Sequence, residues 1–116
     1  MERLTIYQKP ACTTCRKVFE LLRESGVDFD AVDYYVDPIP KAKLKELLGK
    51  MGIRARDLLR TKEPIYRKLG LGSGERSEGE LIGLMSKYPD LIQRPIVEKG
   101  KKAILARPPE RLREIL

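Results

Sequence analysis

The alternation of apolar and polar positions predicts a β-α-β unit in the first third of the chain. Leu4–Tyr7 is a short β-type run. A helix is predicted after it, and it ends at Gly26, a residue type common at helix C-caps. The apolar residues of that helix recur at helical spacing: Val18, Leu21 and Leu22. Residues 28–35 alternate again, with Tyr34 among their apolar positions, and predict a second strand.

The middle of the chain has helical periodicity only. One helix is predicted to begin near Pro40 and to stop at the glycine after Met51, because proline suits a first turn and glycine a C-cap. Shorter helical turns are predicted within residues 54–60 and 64–70. A further helix should be capped by Ser77, with Glu80 completing a capping box. This helical stretch, about 38–90, is predicted to be an insertion.

The last part of the chain predicts a hairpin and a final helix. Residues 94–106 form two short strands around a Lys99–Gly100 turn, and a helix with prolines in its first turn follows. The β-α-β unit predicts a parallel pair and the hairpin adds antiparallel strands. We therefore expect an α/β fold with a mixed four-stranded sheet, as a single domain over residues 1–116.

Composition narrows the class of protein. The chain has 116 residues, of which 41% are hydrophobic and 35% charged, as in soluble globular domains. No apolar run approaches the roughly 18 residues of a membrane span, and the N-terminus fits a strand better than a signal peptide. We therefore expect a cytoplasmic protein with no membrane partner.

Charge and histidine content restrict the chemistry. The net charge is +7 and the pI about 9.5, which can favour nucleic acids or small anions. The basic residues are spread along the chain, and aromatic residues make up only 6%. A nucleic-acid partner is therefore not favoured. The chain has no histidine, so chemistry must depend on cysteine, carboxylate, lysine, tyrosine or arginine.

The stretch "KPACTTCRK" contains both cysteines of the chain, Cys12 and Cys15, where the first strand meets the first helix. A thiolate at a helix start is stabilised by free N–H groups and the helix dipole, and Arg16 would add a positive charge. We expect the pKa of Cys12 to lie below about 8.5, whereas Cys15, one turn deeper, would suit a resolving thiol. Two other roles for the cysteine pair remain open: both could be small core residues, or they could form half of a zinc site that a second chain completes. A CxxC at this join is typical of a thioredoxin-like arrangement.

Three arginines lie at ends of predicted elements: Arg60, Arg94 and Arg107. The planar guanidinium matches tetrahedral oxyanions, so the three could form an oxyanion pocket beside Cys12. Each of them taken alone is more commonly a surface residue.

With these motifs, the chain resembles the glutaredoxin-coupled arsenate reductase family, the ArsC-like branch of thioredoxin folds. The resemblance spans the chain and is carried by "TIYQKPACTTCRK", "MGIRARDLLR", "EPIYRKLGL", "YPDLIQRPIV" and "ILARPPERLREIL". It implies that Cys12 is the nucleophile that takes up arsenate and that the three arginines bind the oxyanion. It also implies a cis Pro95 facing the cysteine. No bound metal or organic cofactor is expected, and glutathione with glutaredoxin, or thioredoxin, would be the reductant.

Two features depart from the family pattern. Many of these reductases have serine where this chain has Cys15, and some have histidine where it has Gln8. The CxxC form is common in Spx-like regulators, which bind RNA polymerase and use the pair as a disulfide switch. Those regulators generally lack the arginine that matches Arg107, so a reductase is the first hypothesis and an Spx-like regulator the alternative.

Overall fold

The computed structural model describes residues 3–116, which form two compact units. Among the described residues, the first unit contains residues 3–37 and 94–116, and the second contains residues 38–93. The prediction that the chain behaves as a single domain stays a prediction. Within the described residues, no helix is long and apolar enough to cross a membrane.

The first unit is built on a four-stranded sheet. Its strands are β1 (Leu4–Gln8), β2 (Phe29–Asp33), β3 (Ile96–Lys99) and β4 (Lys102–Leu105), in the spatial order β2-β1-β3-β4. β1 pairs parallel with β2 and antiparallel with β3, and β3 pairs antiparallel with β4. This confirms the predicted α/β class, the mixed sheet and the late hairpin.

Helix α1 (Thr13–Ser25) connects β1 to β2 and packs on the sheet of the first unit. It ends at Gly26, whose φ of 76° lies in the left-handed region that glycine adopts readily. Its buried side chains join a core with the strands and the C-terminal segment: Leu4, Ile6, Val18, Leu22, Val97, Ile104, Ala106, Leu112 and Ile115. This core fixes the start of α1 at the end of β1.

The structure changes two predicted elements of the first unit. β2 ends at Asp33, so Tyr34 lies in a turn, where its N–H still donates to the Gln8 carbonyl oxygen (3.3 Å). The C-terminal segment is a 3-10 helix, Pro109–Glu114. Pro109 has no N–H to donate, and the bonds of the segment connect residues three apart, such as Arg111 N–H to the Pro108 carbonyl oxygen (3.0 Å).

The second unit is helical. It contains α2 (Lys41–Met51), α3 (Ala55–Leu58), α4 (Pro64–Lys68), α5 (Glu78–Lys87) and a 3-10 helix at Pro89–Leu91. α5 begins with the predicted capping box, in which the Ser77 hydroxyl accepts from the Glu80 N–H (3.1 Å). Leu59 and Ile92 form an isolated antiparallel bridge that ties the end of α3 to the segment after the 3-10 helix.

Candidate active site

Cys12 lies between β1 and α1 and is the N-cap residue of that helix. Its backbone is extended, and its sulfur accepts a hydrogen bond from the Cys15 backbone N–H (3.4 Å). The turn before it is closed by the Cys12 N–H, which donates to the Lys9 carbonyl oxygen (2.9 Å). The first N–H groups of a helix have no acceptor within the helix. The Cys12 sulfur therefore caps α1 and is itself stabilised as a thiolate.

Arg94 lies two residues before the start of β3 and is a buried cation, only 6% exposed. Its Nη1 donates to the Tyr35 hydroxyl (3.1 Å). Its Nε has no hydrogen-bond partner within residues 3–116. The Arg94–Pro95 peptide bond is cis, as the resemblance implied. Buried polar groups are normally hydrogen-bonded, so this Nε is a donor available to an acceptor that enters the site.

The surroundings of Cys12 favour its thiolate. Burial raises the pKa of Cys12, but hydrogen bonds from the Cys15 backbone N–H and thiol, and then the hydrogen bonding and charge of the Arg94 guanidinium, outweigh it. The pKa of Cys12 therefore lies below its ordinary value. Arg94 is the cation that acts on Cys12. Arg16, which the sequence predicted to add a positive charge, is an exposed residue of α1, and its contribution stays a prediction.

Cys15 has the opposite character. Its side chain is fully buried, and this burial is the main reason that its pKa rises to about 12. The negative charge on Cys12 raises the pKa of Cys15 further. Both cysteines are free thiols in the structure. Of the two thiols, Cys12 therefore forms the thiolate more readily, and the Cys15 thiol donates a hydrogen bond to its sulfur.

The three predicted oxyanion arginines are placed differently. Arg107 follows β4, is exposed, and donates from Nη1 to the Arg94 carbonyl oxygen (3.4 Å). Arg60 belongs to the second unit, where its guanidinium forms an ion pair with Glu63 (2.9 Å). Its backbone N–H donates to the Leu91 carbonyl oxygen (2.8 Å). The structure thus brings Arg94 to Cys12 and Arg107 to Arg94, whereas Arg60 is part of the other unit.

Tyr35 and Lys9 are two residues near the thiols that sequence reasoning missed. The Tyr35 ring lies under the Lys9 ammonium (4.8 Å from Nζ to the ring centroid) and near the Arg94 guanidinium (5.8 Å from Cζ). The alternation of residues 28–35 predicts strand positions for both tyrosines. Because successive strand residues face opposite sides, only one of Tyr34 and Tyr35 can belong to the core face, and this is the signal in the sequence that the other ring has a different partner.

This arrangement is suited to nucleophilic attack on an anionic electrophile. The N-terminus of α1, the buried Arg94 guanidinium with its spare N–H and the neighbouring Arg107 would hold the negative oxygens of such a molecule near the Cys12 thiolate. Within residues 3–116, no group of three or more Cys, Asp or Glu side chains is placed to hold a metal ion.

Comparison with known proteins finds relatives that match this chain over nearly its whole length. The family model described as ArsC family matches residues 7–115. The chain is 40% identical to an arsenate reductase of Yersinia enterocolitica over 116 residues, which cover 100% of this chain and 82% of that protein. It is also 40% identical to the uncharacterized protein YfgD of Escherichia coli K12, covering 99% of this chain and 98% of that protein.

A solved structure gives the same result for the fold. An arsenate reductase from Vibrio cholerae superimposes with a TM-score of 0.94 at 34% identity, covering 99% of this chain and 98% of that one. A likeness of this extent confirms the thioredoxin-like fold that the position of the CxxC motif predicted.

Proposed function

The chain belongs to the ArsC family, and from that membership we propose that it is a thiol-dependent oxidoreductase that reduces arsenate to arsenite. The observation that carries the proposal is the pairing of the Cys12 sulfur, which accepts from the Cys15 N–H of α1, with the buried Arg94 guanidinium, whose Nε has no partner among the described residues. A nucleophile and an anion-binding donor are the two components that attack on arsenate requires. The proposal includes a cytoplasmic location.

The first step would form a bond between sulfur and arsenic. The Cys12 thiolate attacks As(V), and one arsenate oxygen leaves as water after accepting two protons. The guanidinium groups of Arg94 and Arg107 would bind the remaining oxygens and stabilise the charge that develops on them. A role for Arg60 in binding the oxyanion stays a prediction that rests on the resemblance alone.

The second step would transfer the electron pair. A second thiolate attacks the Cys12 sulfur, the S–S bond forms, and the As–S bond breaks with its electrons left on arsenic, which leaves as arsenite, As(III). Because burial keeps the pKa of Cys15 high, we propose that an external thiol such as glutathione makes this attack. Glutaredoxin or thioredoxin would then supply two electrons to reduce the disulfide and restore Cys12.

A coupled assay tests the proposal. Purified protein with arsenate, glutathione, glutaredoxin, glutathione reductase and NADPH should oxidise NADPH in an arsenate-dependent manner, and arsenite should accumulate in equal amount. Cys12→Ser should abolish both signals, and Cys15→Ser should retain them if glutathione is the second thiol. Absence of arsenite with the folded wild-type protein would contradict the proposed substrate.

The CxxC pair supports a second candidate, a redox-regulated binding protein of the Spx-like kind. The Cys15 N–H and thiol both donate hydrogen bonds to the Cys12 sulfur, so the two thiols are neighbours. In this case oxidation would close a Cys12–Cys15 disulfide and change binding to RNA polymerase. Pull-down of polymerase by the reduced and the oxidised protein, with Cys15→Ser as the control that cannot close the disulfide, separates this candidate from the reductase.

A further inference from the structure

The position of Tyr35 is set by the turn that ends β2. Asp33 is the last residue of that strand, and its carboxylate accepts from the Tyr35 backbone N–H (3.0 Å). Its carbonyl oxygen accepts from the N–H groups of Val36 (3.1 Å) and Asp37 (2.9 Å). An aspartate that bonds the backbone two residues ahead is a common way to fix a turn. The backbone of Tyr35 is therefore held in place independently of its side chain.

The side chain of Tyr35 contacts Arg94 in two ways. The hydroxyl oxygen accepts from Nη1 (3.1 Å), and the ring lies 5.8 Å from the guanidinium carbon. The first contact fixes one end of the guanidinium, and the second is within the range of cation–π attraction. Nη1 is thereby occupied, whereas Nε is left without a partner among residues 3–116.

A phenol differs from a carboxylate in what it does to a cation. Among residues 3–116, the groups that act on the Arg94 guanidinium are the phenols of the buried Tyr34 and of Tyr35 and the Cys12 thiol, with no carboxylate among them. Arg60, by contrast, is paired with the Glu63 carboxylate (2.9 Å). A carboxylate partner would orient the guanidinium but would also neutralise it and compete with an incoming anion. A neutral hydroxyl orients the guanidinium and leaves its charge for the site.

We propose that Tyr35 is a positioning residue of the thiol site, which holds Arg94 with its charge unneutralised and its Nε available to an oxygen of the anionic substrate. The proposal rests on the proposed function for the identity of that substrate, an arsenate-like oxyanion. The effect of Tyr35 on the Cys12 thiolate does not depend on the substrate, because Tyr35 acts through Arg94, and Arg94 acts on the Cys12 sulfur in the free protein.

Tyr35→Phe is the test, because it removes the hydroxyl and keeps the ring. In a Cys15→Ser background, the midpoint of Cys12 alkylation against pH should move to higher pH, since the guanidinium spends less time near the sulfur. With arsenate, kcat/KM should fall by roughly tenfold, as expected when an oriented charged donor is lost. Tyr7→Phe is the matched control, because it removes a buried hydroxyl that donates to Glu98 instead (3.0 Å). It should leave the alkylation midpoint unchanged.

A double-mutant cycle decides whether Tyr35 acts through Arg94. Once Arg94→Ala has removed the guanidinium, Tyr35→Phe should cause no further change in the alkylation midpoint. An unchanged midpoint in the single Tyr35→Phe variant, or an equal shift with and without Arg94, would overturn the proposal. If the midpoint shifts as expected but wild-type protein produces no arsenite, the positioning role stands and the proposed substrate is wrong.

Discussion

Cys12 and Cys15 lie three positions apart, yet their thiols meet different surroundings. Cys12 is partly exposed, caps α1 and interacts with Arg94, whereas Cys15 is fully buried. Desolvation disfavours the thiolate at both positions, and only at Cys12 do hydrogen bonds and a positive charge overcome it. The difference in acidity between the two thiols therefore follows from solvent access and neighbouring charge.

The first prediction is that the two thiols titrate far apart. With Cys15→Ser, alkylation of Cys12 should reach half its maximal rate below the pH of an ordinary thiol, about 8.5. With Cys12→Ser, alkylation of Cys15 should still be slow at neutral and mildly alkaline pH, because burial, the main reason for its raised pKa, is unchanged. Mass spectrometry of the alkylated protein measures both. A Cys15 that reacts faster than Cys12 in mild acid would reverse the assigned roles.

The second prediction concerns pH and stability. The folded state retains the Cys15 proton up to about pH 12, whereas the unfolded chain loses it near pH 8.5. The stability that this protonated thiol contributes is complete below pH 8.5 and decreases as the pH rises towards 12. The free energy of unfolding should therefore fall more steeply with pH in the wild type than in Cys15→Ser. Urea unfolding at pH 8, 9 and 10 measures the difference, and parallel curves would contradict the raised pKa.

The third prediction separates the two arginines next to the thiols. Arg94→Ala and Arg107→Ala should each lower kcat/KM for arsenate on the order of a hundredfold, if a charged hydrogen bond worth about 1.5–3 kcal/mol is lost. Arg107 is exposed, so Arg107→Ala should leave the melting temperature nearly unchanged. Arg94 is 6% exposed, so Arg94→Ala should also lower the melting temperature. Full activity of Arg107→Ala would show that this arginine does not touch the anion.

At the scale of elements, periodicity and cap residues predicted most of the fold. Gly26 and the pair Ser77 and Glu80 are local signals, and the structure has a helix end and a capping box at those places. The end of β2 was not predictable in this way, because alternation continues through Tyr34 while the side chain of Asp33 already forms the turn. The contact of Tyr35 with Arg94, 59 positions away, depends on tertiary packing that a local pattern does not contain.

The fourth prediction tests the cap of α1. A serine hydroxyl can accept from the helix N–H groups as the Cys12 sulfur does, whereas alanine cannot. Cys12→Ala should therefore be less stable than Cys12→Ser by about 1 kcal/mol. Ser77→Ala is a control for the size of the effect, because it removes the cap of α5. Urea unfolding of the three variants gives the comparison. Equal stability of the two Cys12 variants would mean that a side-chain acceptor at this position does not stabilise α1.

At the scale of the whole molecule, charge is the property that bears on an anionic substrate. Lysine and arginine number 24 against 17 acidic residues, and the net charge is +7. A charge of this sign raises the concentration of small anions near the surface and accelerates their encounter with a site. The attraction is long-ranged only at low salt, because the screening length falls from about 30 Å at 0.01 M to about 10 Å at 0.1 M.

The last prediction uses two reagents that attack the same sulfur. Iodoacetate is an anion of modest size and iodoacetamide is its neutral counterpart, so their rates with Cys12 share every effect of salt on the thiolate itself. Their ratio isolates the attraction of the anion by the protein. Between about 10 and 100 mM salt the ratio of iodoacetate to iodoacetamide rates should fall several-fold, because screening removes the steering of the anion. In Arg107→Ala the ratio of iodoacetate to iodoacetamide rates should be lower than in the wild type at low salt, and it should fall less as salt is added. A ratio that does not change with salt would show that the net charge has no influence on anions reaching Cys12, and that the guanidinium groups close to the sulfur account for whatever preference remains.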